Sequence, residues 1–558
     1  MGIPRSQIGI IAVPIIIFLH ALSAFAGQLD ELYAPLVEKG RVYSRSAFSF
    51  FSLIEEGIHG HMSFAEFESE PDYQTLRETL TFSPLEKWEV RIGYGKDFNA
   101  DYSRPTYNPS GNISFYNKHD LDFLHHFDFG LRRRFDRSEL YVEGYGNKGK
   151  SSWNSAPGFV EPDFFTTIRS HYENTKLGWR FISDSEDKAA LTDLSYLTRS
   201  LLHQGQLNLE SSIEYKRGKV WRHNKFYGTS PATLRNYTHD LQPHFIPNFG
   251  LKYGINDKTE LISGLTYELP HRFKYEFQQF NPSGTTNFII ANYKVEKKVS
   301  VPLGVMFRPL ANLEIALSSD TVYGAQRLEG YEKEPIPDST TVFPKKRLRY
   351  VQTKPTLDLT YLLNPKEGKE KSDINQYTIR LLDRNQLLVK MKYFRDITHL
   401  RKNASNGAVN ILDAETIFKY PLDNFLAGSE YAAFLTGNSS STTPDVFPQN
   451  FHRAELNFNY GLGSTFNVGI GGGFQSRSGV HQHVFSNDIS SRQFQFEPYN
   501  FYNVTADWQF SKNSLLTFRL HYVPQYKTFM ITDVPAHIKS FEVATEYVKT
   551  EAAFHFLF

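Results

Sequence analysis

Apolar and polar residues alternate along most of this chain with a period of two. Trp88, Val90, Ile92 and Tyr94 alternate with Glu89, Arg91, Gly93 and Gly95. Val299, Val301, Leu303, Val305 and Phe307 alternate with Ser300, Pro302, Gly304 and Met306. The same holds around Leu251, Leu456, Val504 and Leu516. A helix would scatter these side chains around its axis, whereas a strand sorts them into one apolar and one polar face. Each run lasts about ten residues, the length that crosses a bilayer as a tilted strand.

Short turns rich in Pro, Asn, Asp and Gly join many runs, each just after an aromatic residue. Phe82-Ser83-Pro84-Leu85-Glu86-Lys87-Trp88 has a near copy in Phe307-Arg308-Pro309-Leu310-Ala311-Asn312-Leu313. Tyr253-Gly254, Tyr460-Gly461 and Phe510-Ser511 open similar turns. Such residues supply turn dihedrals. Between these turns lie polar stretches that read as long loops: Phe98 to His119, Lys148 to Arg169, Gly218 to Asp240, Tyr323 to Arg347 and Gln475 to Tyr499. Short turns at one end and long loops at the other predict an all-β, transmembrane, antiparallel up-and-down β-barrel of about 20 strands (18–22), with short periplasmic turns and long extracellular loops. A propeller repeats at a similar period but uses four shorter strands per blade. The pair expected within Ile411 to Phe434 is the faintest.

Two segments depart from period two. From Ser183 to Leu202, the residues Ala190, Leu191, Leu194, Leu197 and Leu201 recur at spacings of three and four. Ser183 and Glu186 suggest a capping box and Gly205 a stop, so an amphipathic helix on a periplasmic turn is expected. A second helical turn, or an extended turn, is expected over Asp373 to Asp383.

Composition fits a barrel with a wet interior. Mean hydropathy is −0.43, yet aromatic residues make up 15% of the chain, with 47 Phe and 32 Tyr. Lipid-facing residues and interfacial aromatic girdles supply the second number, lumenal residues the first. Lys and Arg number 61 against 60 Asp and Glu, so nothing draws the chain to nucleic acid. Without cysteine there is no disulfide, thiolate metal site or Cys nucleophile.

Arg5, the apolar run Ile8 to Leu22 and Ala24-Phe25-Ala26 form an export signal cleaved after Ala26. The expected organisation is a signal peptide over 1–26, a short periplasmic segment over 27–40 and one barrel over 41–558. A segment as short as 27–40 is no globular plug, so the lumen is expected to be open, filled by infolded loops, or occupied by a partner.

Charged side chains on the polar face are costly toward lipid, about 2–4 kcal/mol for Arg or Lys at mid-depth. The lumen-facing candidates are therefore Arg77, Arg91, Arg180, Lys252, Lys390, Lys392, Arg519, Glu89, Glu210, Glu214, Asp358 and Asp507. Arg132, Arg134, Asp128, Glu143, Glu260, Glu314 and Glu455 face the same way. Their balance argues against a simple charge filter; they read either as ion pairs that stiffen the wall or as a transverse field across a constriction. No catalytic motif appears, so no catalytic, metal or cofactor residues are assigned. The pairs His59/His61, His125/His126 and His481/His483 each lack a third ligand. Gly469-Ile470-Gly471-Gly472-Gly473 lies on a strand, where small residues admit bulky neighbours.

The last residues sharpen this reading. Phe554, Phe556 and Phe558 share one strand face with His555 on the other. This ending resembles the assembly signal of bacterial, porin-like outer-membrane β-barrels. The resemblance implies outer-membrane residence, insertion by the barrel-assembly machinery, and contact with outer-membrane lipid and lipopolysaccharide. A channel for polar solutes is the expected function. Alternatives are an export conduit or sheath around a periplasmic partner (for polysaccharide export or electron transfer), or an outer-membrane enzyme or adhesin.

Overall fold

In the computed structural model the alternating runs form one antiparallel sheet that closes on itself. The structure describes residues 36–60, 64–69, 72–107, 113–156, 164–183, 193–226, 233–280, 286–335, 338–365, 374–402, 450–476, 478–484, 490–532 and 538–558. The signal sequence, Ala26 and residues 27–35 lie outside them.

The first third of the wall comprises β1 (Val42–Gly60), β2 (Phe64–Ser69), β3 (Asp72–Phe82), β4 (Trp88–Tyr107), β5 (Ile113–Arg134), β6 (Ser138–Ala156) and β7 (Phe164–Ile182). The second comprises β8 (Leu207–Phe226), β9 (Thr233–Asn256), β10 (Thr259–Glu268), β11 (His271–Phe280), β12 (Thr286–Leu310), β13 (Leu313–Pro335) and β14 (Asp338–Leu363). The third comprises β15 (Leu387–Lys402), β16 (Asn450–Gly461), β17 (Phe466–Gln475), β18 (Ser478–Val484), β19 (Ser490–Phe496), β20 (Tyr499–Ser511), β21 (Ser514–Thr532) and β22 (Ile538–Leu557). The segment pairs β2/β3 and β10/β11 each share neighbours on both sides, β19 and β20 both pair with β21, and β17 and β18 pair with β20 and β19, so each pair is collinear. The wall therefore has eighteen strand positions. Closure is made by β1 against β22, from Tyr43↔Leu557 to His59↔Phe541.

Alternation fixes the two faces. Leu76 and Leu80 on β3, Ile92 and Tyr94 on β4, Phe127, Phe129 and Leu131 on β5, and Tyr502, Val504, Trp508 and Phe510 on β20 are exposed on the outside. An apolar belt of this extent does not persist in water and matches a bilayer. Phe554 and Phe558 join it, and Phe554 stacks on Phe510 with ring centroids 5.6 Å apart. Phe556 lies 6.1 Å from Phe554 and 4.4 Å from Phe558, while His555 and Leu557 turn inward and are buried.

The stretches read as long loops are mostly β-hairpin. Tyr102 pairs with His119, Trp153 with Thr166, Trp221 with Thr238, Glu334 with Ser339 and Gly479 with Gln495. Beyond the bilayer both faces of a strand meet water, so the apolar period vanishes while the backbone ladder continues. The pair expected within Ile411 to Phe434 lies outside the described residues. There β15 pairs directly with β16, from Leu387↔Tyr460 onward, so the wall is continuous. Of the helix expected from Ser183 to Leu202, the described residues hold α1 over Asp193–Leu197, and residues 184–192 lie outside them. Ser183 caps a strand instead, its Oγ accepting from the Leu207 N–H at 2.8 Å. The second segment contains a 3-10 turn over Ile374–Gln376.

Candidate functional site at the short-turn end

At the short-turn end the chain folds into the barrel three times. The segments are Leu36-Val37-Glu38-Lys39-Gly40-Arg41-Val42, Leu201-Leu202-His203-Gln204-Gly205-Gln206-Leu207 and Leu381-Leu382-Asp383-Arg384-Asn385-Gln386-Leu387. All three have the same local geometry. The backbone N–H of Arg41, Gln206 and Gln386 donates to the carbonyl of Glu38, His203 and Asp383 at 3.0, 3.0 and 3.1 Å. Gly40, Gly205 and Asn385 carry positive φ of 84°, 75° and 68°. That is the turn position reserved for Gly or Asn. The Oε1 atoms of Gln206 and Gln386 accept from the N–H of His203 and Asp383, closing two of the turns, while Arg41 pairs with Glu38 at 3.1 Å.

Each turn docks on the second wall position of its third. Gly205 and Gly254 exchange backbone hydrogen bonds through Gly205 N–H to Gly254 O and Gly254 N–H to Gln206 O, at 2.8 and 3.0 Å. Asn385, Gly461 and Gln386 repeat this at 2.9 and 3.0 Å, and Lys39 bridges to Ser83. A Cβ at Gly254 would collide with the His203 carbonyl, and one at Gly461 with the Asp383 carbonyl. Glycine is therefore required for the inward segments to lie this close.

Six residues after each docking position stands a buried polar side chain: Glu89, Glu260 and Asn467. Glu89 accepts from the Val37 N–H at 2.9 Å and Glu260 from the Leu202 N–H at 3.2 Å. Arg132 holds Glu89 and Arg199 holds Glu260. The next turns keep register too. The N–H groups of Arg134, Arg308 and Gln509 donate to the carbonyls of Lys87, Lys258 and Thr465, each at 2.8 Å. Those of Ile182, Leu362 and Leu557 donate to Arg137, Asn312 and Asn513, each at 2.9 Å. Ile182, Leu362 and Leu557 are all 0% exposed. The barrel thus repeats a unit of six wall positions three times, each with two short turns and one inward segment.

The apolar residues of the inward segments fill the mouth. Leu194 packs with Leu362, Leu382 and Leu388, and Ile374 with Leu381, Leu515 and Leu557, flanked by Tyr43 and Tyr377. Each helical turn therefore seats on the junction where the next unit begins. Thr198 and Thr378 cap these turns, donating to the Leu194 and Ile374 carbonyls at 2.7 and 3.0 Å. Buried Arg308 pairs with Glu314 and donates to Ser195 Oγ and Thr198 Oγ1 at 2.8 and 2.9 Å. In the corresponding place Asn375 donates to Gln509 at 3.1 Å. The segments also touch one another. Arg380 donates to the Ser195 carbonyl at 3.3 Å, and Tyr377 meets the Glu38 backbone in a hydrogen bond. Burial pushes the Tyr377 hydroxyl above its ordinary value.

The charged candidates all lie on the inner face, mostly in pairs. Arg77 and Arg91 reach Asp128 at 3.3 and 3.6 Å. Arg180 reaches Glu139 at 2.9 Å and Glu210 at 3.6 Å. Glu214 accepts from Asn174 at 2.6 Å, Lys392 lies 3.8 Å from Asp358, and Arg519 holds Asp507 at 2.5 Å. Lys252 interacts with Glu260 and Glu210, and Lys390 borders a cavity of about 510 Å³ between the inward segments and the third unit. A second cavity, about 610 Å³, lies over the first unit between Tyr43, Arg77, Arg91, Glu143 and Tyr377. Among the described residues, most of these wall charges thus lie beside a charge of opposite sign.

Of the histidine pairs, His125 and His126 face opposite ways. Tyr94 pairs with His125 at 2.7 Å outside, and Asp97 with His126 at 2.8 Å inside. The side chains of His59, His61, His481 and His483 lie outside the described residues. In the glycine cluster, the inward Phe501 ring covers Gly473, with the Arg453 guanidinium 4.1 Å from its centroid.

No family model matches the sequence, and no curated protein matches it. Among solved structures the chain is similar to the toluene transporter TodX of P. putida, at 8% identity and TM-score 0.32, over 93% of this chain and 91% of that one. It is similar to the copper transporter OprC at 9% and 0.40, over 94% and 81%. It is similar to the siderophore receptor PiuA from Acinetobacter baumannii at 11% and 0.40, over 94% and 82%. Likeness this distant says nothing of solute or energy source, so the functional reading rests on the chain's own geometry.

Proposed function

We propose that this chain is an outer-membrane channel for polar solutes whose periplasmic mouth is narrowed by its own three inward segments. The observation that carries the reading is the repeated docking of 36–42, 201–207 and 381–387 across the end of a polar, charge-balanced lumen. The apolar belt supports residence in a bilayer, facing outer-membrane lipid and lipopolysaccharide. The terminal Phe554, Phe556 and Phe558 offer the barrel-assembly machinery an outward aromatic edge. Short turns then face the periplasm.

In this reading the segments act as a gate. Their contacts with the wall are hydrogen bonds and ion pairs around a few leucines, which separate at less cost than a continuous hydrophobic core. Solutes would meet paired charges along the wall and be selected by size and polarity more than by sign. A channel needs no catalytic group or cofactor, and none is assigned. The alternative of a sheath around a partner draws on an unfilled lumen; the chain itself fills the periplasmic end. Conductance in planar bilayers tests the proposal. The refolded protein should show small, fluctuating steps that grow when the inward segments are loosened, and a barrel inert in both states would refute it.

A further inference from the structure

A buried cluster far from the inward segments is unused by the channel reading. His244 on β9, Glu268 at the end of β10 and His271 at the start of β11 bring one ligand atom each within 4.8 Å of the others. His244 lies twelve residues before the short turn at Asn256, about 40 Å along the strand at roughly 3.3 Å per residue. The wall breaks here at Leu269-Pro270, because proline cannot extend the ladder. The break brings His271 and Glu268, three residues apart, against His244 on the neighbouring strand.

The hydrogen bonds of the two rings determine what this cluster can hold. His244 Nδ1 lies 3.1 Å from the Gln242 carbonyl, and His271 Nδ1 lies 3.1 Å from the Leu269 carbonyl. A carbonyl only accepts, so each ring carries its proton on Nδ1 and leaves an Nε2 lone pair free. Both Nε2 atoms neighbour the same carboxylate: Glu268 Oε1 is 3.6 Å from His244 Nε2 and 3.4 Å from His271 Nε2. These distances are long for hydrogen bonds. With both rings neutral, three electron-rich atoms lie together, and a proton on one Nε2, the neighbouring Lys298 ammonium or a metal ion can each offset their repulsion. Around a tetrahedral ion with bonds of about 2.0–2.1 Å, ligand atoms stand about 3.3–3.4 Å apart. Carbonyl-anchored Nδ1–H groups are also the usual outer support of histidine ligands. The rings stack at 3.9 Å and 10°, and both side chains are 3% exposed; their in-plane lone pairs therefore run side by side, and one ring must turn for both to reach a single ion.

We propose that His244, Glu268 and His271 form a binding site for one divalent metal ion of the zinc class on the lumenal face of the wall. Two imidazoles and a carboxylate suit Zn²⁺, Cu²⁺ or Ni²⁺, whereas Ca²⁺ and Mg²⁺ demand more oxygen donors. Three protein donors leave a fourth position for water or a solute group. Lys298, 3.3 Å from Glu268 Oε2, occupies the other carboxylate oxygen and makes Glu268 a one-oxygen ligand. Bound metal would bridge β9, β10 and β11 across the break.

Titration calorimetry with Zn²⁺ on the refolded full-length barrel in detergent tests this. Wild type should bind one equivalent more than the His244→Gln/His271→Gln variant, with Glu268→Gln weakening that site by about 10–100-fold. Lys298→Met removes a competing cation and should tighten binding, a gain that a merely misfolded barrel cannot show. Equal Zn²⁺ stoichiometry in wild type and the double variant, with both folded by heat-modifiability on gels, would overturn the proposal.

Discussion

At the residue scale, Arg308 is a buried side chain on which several of the mouth's polar contacts converge. It neutralises Glu314 and holds Ser195 and Thr198 of the first helical turn. Removing one partner of a buried pair strands the other charge, at about 3–5 kcal/mol. Arg308→Met should therefore lower the urea midpoint of the refolded barrel clearly, and Arg308→Met/Glu314→Met should recover much of the loss. A single variant as stable as wild type would deny the pair its role. Alternation alone identifies Glu314 as inward. In the sequence Arg308 reads only as part of the turn Phe307-Arg308-Pro309, because its importance comes from a segment about 110 positions away. The metal cluster is equally hidden. His244 and His271 are far apart in the chain, and what joins them is strand pairing plus a proline break.

At the element scale, the inward segments are half legible. Spacing of three and four between Leu194, Leu197 and Leu201 shows an amphipathic turn, but an apolar face does not reveal what will cover it. The shared Leu-Leu-x-x-Gly/Asn-Gln-Leu of 201–207 and 381–387, 180 residues apart, is the available sequence signal. Its third copy keeps Leu36, the buried Val37 and the positive-φ Gly40, with Glu38 and Arg41 forming an ion pair where the others use glutamine. Gly254→Val and Gly461→Val place atoms against backbone carbonyls. Overpacking of this kind costs about 1–3 kcal/mol. Each variant should be less stable and conduct more frequently in bilayers, and the double variant should exceed either. Unchanged opening would mean that the segments are not the gate.

Across the whole molecule, alternation is a strong signal because each strand is solvated differently on its two faces. The sorting of Arg77, Glu89, Lys252 and Asp507 to the inside needs nothing else. The strand count depends on more. Where hairpins rise beyond the bilayer the period disappears, so β4 and β5 look like loop after about residue 98 although their ladder continues to Tyr107↔Ile113. Closure is testable through a pair that pattern reading cannot supply. Ala47 and Ala553 face each other across the β1–β22 seam, both buried. Opposed strand residues sit about 4.5–5.5 Å apart, within disulfide range. In a chain otherwise free of cysteine, Ala47→Cys/Ala553→Cys should form an internal disulfide on oxidation, detected by a mobility shift that reductant reverses. Thiols that stay free under oxidant would contradict the seam.

Single-channel conductance before and after removal of the inward segments decides whether they close the barrel. Short turns copied from Ser511-Lys512-Asn513-Ser514 would replace residues 184–206 and 364–386, and the product would be checked for folding by heat-modifiability. If the segments are the gate, conductance rises several-fold and becomes steady and ohmic, in place of the small, fluctuating currents of the intact protein. A folded, shortened barrel that conducts no better than the intact one would contradict the proposed gate.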